Sequence, residues 1–177
     1  MRIIAGKYRG LQIPLPKNGE IRPTTDRAKE ALFNYLTHQL SFEETSVCDL
    51  FSGSGNMSFE FASRGSMEVT GVEQNARVVK QLMDLAKRSL VKEVQFVKSD
   101  AFTFIAECNE NFHIVFADPP YDHPRLKELP KLVLDHKLVK MGGCFILERP
   151  TTSQAVNEGL SETRIYGQSA FDIYWVD

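Results

Sequence analysis

Apolar positions along the chain follow two alternating patterns. Short apolar runs at 46–51, 68–73, 94–98, 112–117 and 143–148 have the length and residue types of buried strands. Between them, at 56–64, 75–89, 101–107 and 125–139, apolar residues recur every three or four positions and predict helices. Strand and helix alternating in this way predict an α/β fold, with a mostly parallel sheet covered by helices on both faces. The end of the chain breaks the pattern. Residues 162–166 and 170–176 read as two strands around a tight Gly167-Gln168 turn, so they pair antiparallel as a C-terminal hairpin.

Two elements precede the first buried strand. Residues 2–14 read as an N-terminal β-hairpin around a glycine-containing bend, closed off by Pro14 and Pro16. Thr24 or Thr25 then caps a helix that aligns Ala28, Leu32, Tyr35 and Leu36 on one face and runs to about Gln39. At 177 residues the chain suits one domain, and 42% apolar with 25% charged residues is an ordinary globular profile. It shows no apolar run of membrane-spanning length and turns polar directly after Met1, so a cytoplasmic protein is expected. Three cysteines without CxxC spacing predict reduced thiols, and four scattered histidines give no reason to assign a metal.

The net charge of −2 hides an asymmetry. Residues 1–30 hold seven Lys/Arg against three acids, which makes that segment basic and the remainder acidic. A basic end on an acidic body suggests a local surface for a polyanion.

Two motifs carry the chemistry. Val47-Cys48-Asp49-Leu50-Phe51-Ser52-Gly53-Ser54-Gly55 is a buried strand running into a glycine turn that opens a helix, the arrangement α/β proteins use to hold a nucleoside. Glu73 ends the next strand, placed for a ribose, and Asp100-Ala101-Phe102 follows the third, where the acid meets an adenine amino group and the ring covers it. Asp49 before the turn would repel a pyrophosphate, and Ser58 stands where a dinucleotide fingerprint has its third glycine. No Gly-Lys-Ser/Thr follows, which excludes a P-loop. S-adenosylmethionine, an adenosine with a cationic tail and no phosphate, fits these acids better.

The second motif is Asp118-Pro119-Pro120-Tyr121, after the buried run 113–117. Prolines cannot donate to a sheet ladder, so the strand stops there and the Pro119 carbonyl is free. Asp118 and that carbonyl can each accept one N–H of a planar amine, aiming its lone pair at an electrophile, while Tyr121 stacks on the heterocycle. If the two strands are neighbours, both motifs face one crevice.

With these residues the chain resembles S-adenosylmethionine-dependent methyltransferases of exocyclic amines, and most closely the bacterial 16S rRNA guanine-N2 methyltransferases of the RsmD type. The opening residues 2–10 resemble that family's starting hairpin. Arg22-Pro23-Thr24 leading to Glu30-Ala31-Leu32-Phe33-Asn34 is similar to its second signature. The resemblance implies a Rossmann-like class I methyltransferase with a seven-stranded sheet, residues 21–177 being the catalytic core and 1–20 a basic hairpin appendage. It implies cofactor contacts at Asp49, Phe51, Gly53, Gly55, Glu73, Asp100 and Ala101. Guanine would be positioned by Asp118, Pro119 and Tyr121, in 16S rRNA or the assembling small subunit. Arg2, Lys7, Arg9 and Arg22 are the expected phosphate contacts, with Lys7-Tyr8-Arg9 interleaving charge and ring. No metal is implied, and nothing calls for more than a monomer. Two alternatives stay open: a DNA adenine or cytosine amino-methyltransferase, and an inactive S-adenosylmethionine- or RNA-binding protein of the same fold.

Overall fold

A computed structural model describes residues 1–14 and 25–177. Arg22, Pro23 and Thr24 lie outside the described residues, as does Pro16. Helix α1, Asp26–Thr37, is capped by Thr25, whose hydroxyl accepts the Ala28 N–H at 3.2 Å. Then follow β1 (Ser46–Asp49), α2 (Asn56–Ser63), β2 (Glu68–Glu73), α3 (Ala76–Arg88), β3 (Val94–Lys98), α4 (Ala101–Glu107) and β4 (Phe112–Ala117). The chain closes with α5 (Leu129–Asp135), β5 (Val139–Pro150), β6 (Glu162–Tyr166) and β7 (Ser169–Trp175). No helix among the described residues is long and apolar enough to cross a membrane.

The seven strands form one sheet in the order β3-β2-β1-β4-β5-β7-β6. Pairs β3–β2, β2–β1, β1–β4 and β4–β5 are parallel, and β7 runs antiparallel to both β5 and β6. The terminal hairpin is therefore inserted so that only β7 opposes the rest. Strand order reverses between β1 and β4, and α/β sheets open a crevice at the carboxyl ends of such a pair. One apolar cluster joins α1, α2 and α3 to one face, and a second joins α4 and α5 to the other.

Two boundaries depart from the sequence pattern. The helix expected over 125–139 is a 3₁₀ turn at Leu126–Glu128 followed by α5, because Pro130 is tolerated only in a first helical turn. Lys137, at φ 53°, then reverses the chain into β5, which begins at Val139 rather than 143. The N-terminal hairpin is also less regular than expected, a single antiparallel bridge between Arg2 and Gln12.

Backbone bonds from Ile3 N–H to the Leu11 carbonyl and from Ile13 N–H to the Met1 carbonyl, at 3.0 and 2.9 Å, close the hairpin, and tertiary bonds tie it to α2. Its Ile4 and Ala5 N–H groups donate to the Glu60 carboxylate at 3.0 and 3.3 Å, and Lys7 N–H donates to the Ser63 carbonyl at 2.7 Å. Glu60 also receives Lys29 Nζ and Arg64 Nε, each at 2.9 Å. Lys29, counted among the basic residues of the first thirty, is thus fully buried; its ammonium also donates to the Arg2 carbonyl and Asn56 Oδ1. Gly6 lets the strap approach α2: its φ is +83°, and an added Cβ would lie 1.8 Å from the Ser63 carbonyl oxygen. Gly6→Ala is expected to lower stability by about 1–3 kcal/mol through forced backbone displacement and strain, measured as a reduced denaturation midpoint with the slope unchanged.

Candidate active site

Strands β1 and β4 are adjacent, with Asp49 opposite Phe116, and Leu50 N–H continues the pairing to the Phe116 carbonyl at 2.8 Å. Their two carboxyl-terminal loops therefore leave the same sheet edge side by side, bounding a cleft of about 310 Å³. Asp49, Phe51, Gly53, Glu73, Asp100 and Ala101 line one part of it. Asp118, Pro119 and Tyr121 line another.

The glycine turn is built by backbone conformation. Gly53 and Gly55 have φ values of 49° and 78°, a region glycine enters without a Cβ clash. Gly53 N–H donates to Glu73 Oε2 at 3.1 Å, and Asn75 N–H donates to Oε1 at 2.7 Å. Glu73 thus fixes the turn while facing the cleft. Gly55 does not line the cleft; a Cβ there would press on Leu82 and Phe59 at 2.8 and 3.1 Å, so its role is to let α2 pack.

Asp49 is buried, and its Oδ2 accepts the Ser58 hydroxyl at 2.6 Å. Its Oδ1 is buried without a hydrogen-bond partner among the described residues. Burial pushes the Asp49 carboxyl up to about 6, against the Ser58 hydroxyl and the Phe51 and Ser58 backbone N–H groups, which favour its charged form. Such an atom beside a cleft is unfavourable unless a ligand donor meets it. Asp100 caps α4, its Oδ1 accepting Phe102 and Thr103 N–H at 3.0 and 3.1 Å.

Asp118 extends from β4, next to the buried Glu148 of β5. Burial raises its carboxyl well above the usual range, and the neighbouring Glu148 and Asp49 charges add to the rise. His123 also lines the cleft, and sequence reading missed it. Its ring stacks on Phe102, with centroids 5.0 Å apart and planes at 20°, and meets Phe51 edge-on. The available signal was a histidine two residues after Tyr121, inside a stretch read as leading to a helix.

The basic residues fall at two places. Arg2 pairs with Asp26 at 3.5 Å, both exposed, and its carbonyl meets Lys29, which holds the cleft residue Asn56. Lys7 and Tyr8 are bound elsewhere: Lys7 Nζ and the Tyr8 hydroxyl donate to Glu93, each at 2.7 Å. Burial opposes it, but these two bonds hold the Glu93 carboxyl down to about 2. Glu93 directly precedes β3, at the sheet edge opposite the cleft. Exposed Arg9 sits on the same turn, through its N–H to the Gly6 carbonyl. The hairpin tip is therefore not beside the cleft, and Tyr8 is engaged with Glu93. Arg22 is outside the described residues.

The strand order, the single antiparallel β7 and the cleft between β1 and β4 define the Rossmann-like methyltransferase fold. The family model described as "Conserved hypothetical protein 95" matches residues 1–175, and the chain belongs to that family. It is 31% identical to the ribosomal RNA small subunit methyltransferase D of Escherichia coli K12, over 98% of this chain and 89% of that protein. A hypothetical protein of Thermus thermophilus superposes with a TM-score of 0.88 at 31% identity, covering 99% of both chains. The 16S rRNA N2 methyltransferase RsmC of Thermus thermophilus, solved with AdoMet and guanosine, shares the fold. Its TM-score is 0.70 at 20% identity, over 91% of this chain and 45% of that one.

Proposed function

We propose that this protein transfers a methyl group from S-adenosylmethionine to the exocyclic N2 of a guanine in 16S rRNA, in the bacterial cytoplasm where small subunits assemble. One observation carries the reading. A single cleft joins the unpartnered Asp49 oxygen and glycine turn to Asp118-Pro119-Pro120-Tyr121 on the adjacent strand. The small-subunit rRNA named for the Escherichia coli relative, and the guanosine and AdoMet in RsmC, support it.

The acids fit the cofactor's parts. Asp49 would meet the ammonium of its amino-acid tail, Glu73 the ribose hydroxyls and Asp100 the adenine amino group, with Phe51 and Ala101 against the ring. When bound, the cofactor supplies an electrophilic sulfonium methyl. Asp118 and the Pro119 carbonyl each accept one N–H of the guanine amine and aim its lone pair into the cleft, while Tyr121 stacks on the base. Positioning of this kind requires no covalent intermediate. Arg2 near the cleft, Arg9 on the far turn and Arg22 serve as phosphate contacts, whereas Lys7 braces the strap through Glu93.

Asp49 gives this reading a pH signature. The ammonium requires an ionised partner, so affinity for S-adenosylhomocysteine rises with pH through about 6 and is about tenfold weaker at pH 5 than at neutrality. Ligand-free protein shows the opposite trend in stability. With its folded pKa raised, Asp49 contributes stability that is full below the ordinary carboxylate range and lost as pH rises through about 6. Calorimetric titrations of wild type and Asp49→Asn across this range check the point, the variant binding weakly and losing most of the rise through about 6.

Labelled methyl transfer to small-subunit rRNA from cells lacking the protein, run beside duplex DNA, tests the function. The proposal expects product on rRNA alone; product on DNA supports the DNA amino-methyltransferase instead. Cofactor binding without transfer to either substrate supports the inactive binding protein.

A further inference from the structure

The loop after β4 carries two sets of groups at once. Its first residues, Asp118 to Tyr121, face the proposed amine position, and three of them, Asp118, Pro119 and Tyr121, hold it. His123 and Arg125 reach across to the wall on the cofactor side. Pro119 and Pro120 cannot donate backbone bonds, so the sheet ladder does not extend into this loop.

Its backbone bonds close locally. His123 N–H donates to the Pro120 carbonyl at 2.9 Å, Leu126 N–H to the His123 carbonyl at 3.1 Å, and Arg125 N–H to His123 Nδ1 at 3.2 Å. Ring contacts then carry the loop to other elements. His123 stacks on Phe102 in the first turn of α4 and meets Phe51 in the glycine-turn segment at 6.3 Å between centroids. The Arg125 guanidinium lies 4.1 Å from the Phe102 ring centre, and Glu128 holds that guanidinium at 2.8 Å. Phe51 and Phe102 also meet edge-on. Asp100 and Ala101, next to Phe102 in sequence, line the cleft.

We infer that His123 is a positioning residue, an aromatic clasp that couples occupation of the cofactor side of the cleft to ordering of the amine-holding loop. The inference rests on the methyltransferase reading above. A ligand that packs against Phe51 and the Asp100-Ala101 turn restrains the rings on which His123 sits. His123 is three residues from Pro120 and its N–H is bonded to it, so that restraint passes to Pro119 and Tyr121. Binding of cofactor and of target base then reinforce each other, and the reinforcement is reciprocal. Arg125 assists by holding the Phe102 ring.

The test measures affinity for small-subunit rRNA, taken from cells lacking the protein, with and without saturating S-adenosylhomocysteine. Wild type is expected to bind the RNA about tenfold tighter when S-adenosylhomocysteine is present. His123→Ala is expected to reduce that ratio to near one while keeping the thermal midpoint of wild type. His123→Phe, which keeps a stacking ring, restores most of it. A wild-type ratio of one, or a His123→Ala ratio equal to wild type, overturns the clasp. Failure of wild type to bind S-adenosylhomocysteine at all would instead strike the methyltransferase reading, so the two failures are distinct.

Discussion

Asp118→Ala is expected to reduce kcat on rRNA by about 10²–10³-fold, the range seen when one preorganised group at a reacting centre is removed. Affinity for S-adenosylmethionine should stay within about threefold of wild type, a difference of less than 1 kcal/mol, because Asp49, Glu73 and the glycine turn remain. Loss of turnover with cofactor binding preserved is the signature of an amine-positioning group. Asp118→Asn keeps one acceptor oxygen in place and should retain more activity than the alanine variant. Single-turnover methyl transfer beside calorimetry separates the two effects.

The largest expected change in stability comes from Glu60→Ala. Glu60 receives two half-buried strap N–H groups, the buried Lys29 ammonium and Arg64. Truncation strands the Lys29 charge in the interior, which costs about 3–5 kcal/mol when a buried partner is removed. For a chain of this size that is a fall of roughly 10 °C in thermal midpoint. Replacing both partners, as in Lys29→Met with Glu60→Leu, should recover part of the loss, since no unpaired charge is then left inside. A single Glu60→Ala variant with an unchanged midpoint would contradict the ionic account of how residues 1–5 are tied to α1 and α2.

Much of this molecule was legible because its signals are local. The strand runs, the two-residue turn at Gly167-Gln168, and the glycines before α2 each depend on a few neighbouring residues. The juxtaposition of Asp49 and Asp118 also followed, because a parallel sheet brings strand ends to one edge. What escaped depends on contacts between distant segments. Lys29 reads as a solvated helix residue, and only the packing of α1, α2 and the strap against one another buries it against Glu60. Lys7 and Tyr8 read as a nucleic-acid tip until Glu93, 86 residues from Lys7, is seen to hold both. His123 acquires meaning only through Phe102 and Phe51, which belong to other elements. The boundary of α5 differs from the sequence pattern for a local reason, since Pro130 fits only the first turn of a helix.

Transfer of a methyl to a guanine amine of small-subunit rRNA in the cleft between β1 and β4 can be read by mass spectrometry of 16S rRNA nucleosides. Cells with this protein, without it, and with only the Asp118→Ala variant should be compared. N2-methylguanosine is expected to fall by one residue per 16S rRNA in the second and third strains and to be otherwise unchanged. Identical nucleoside profiles in all three, or loss of a methyl from a different atom, would contradict it.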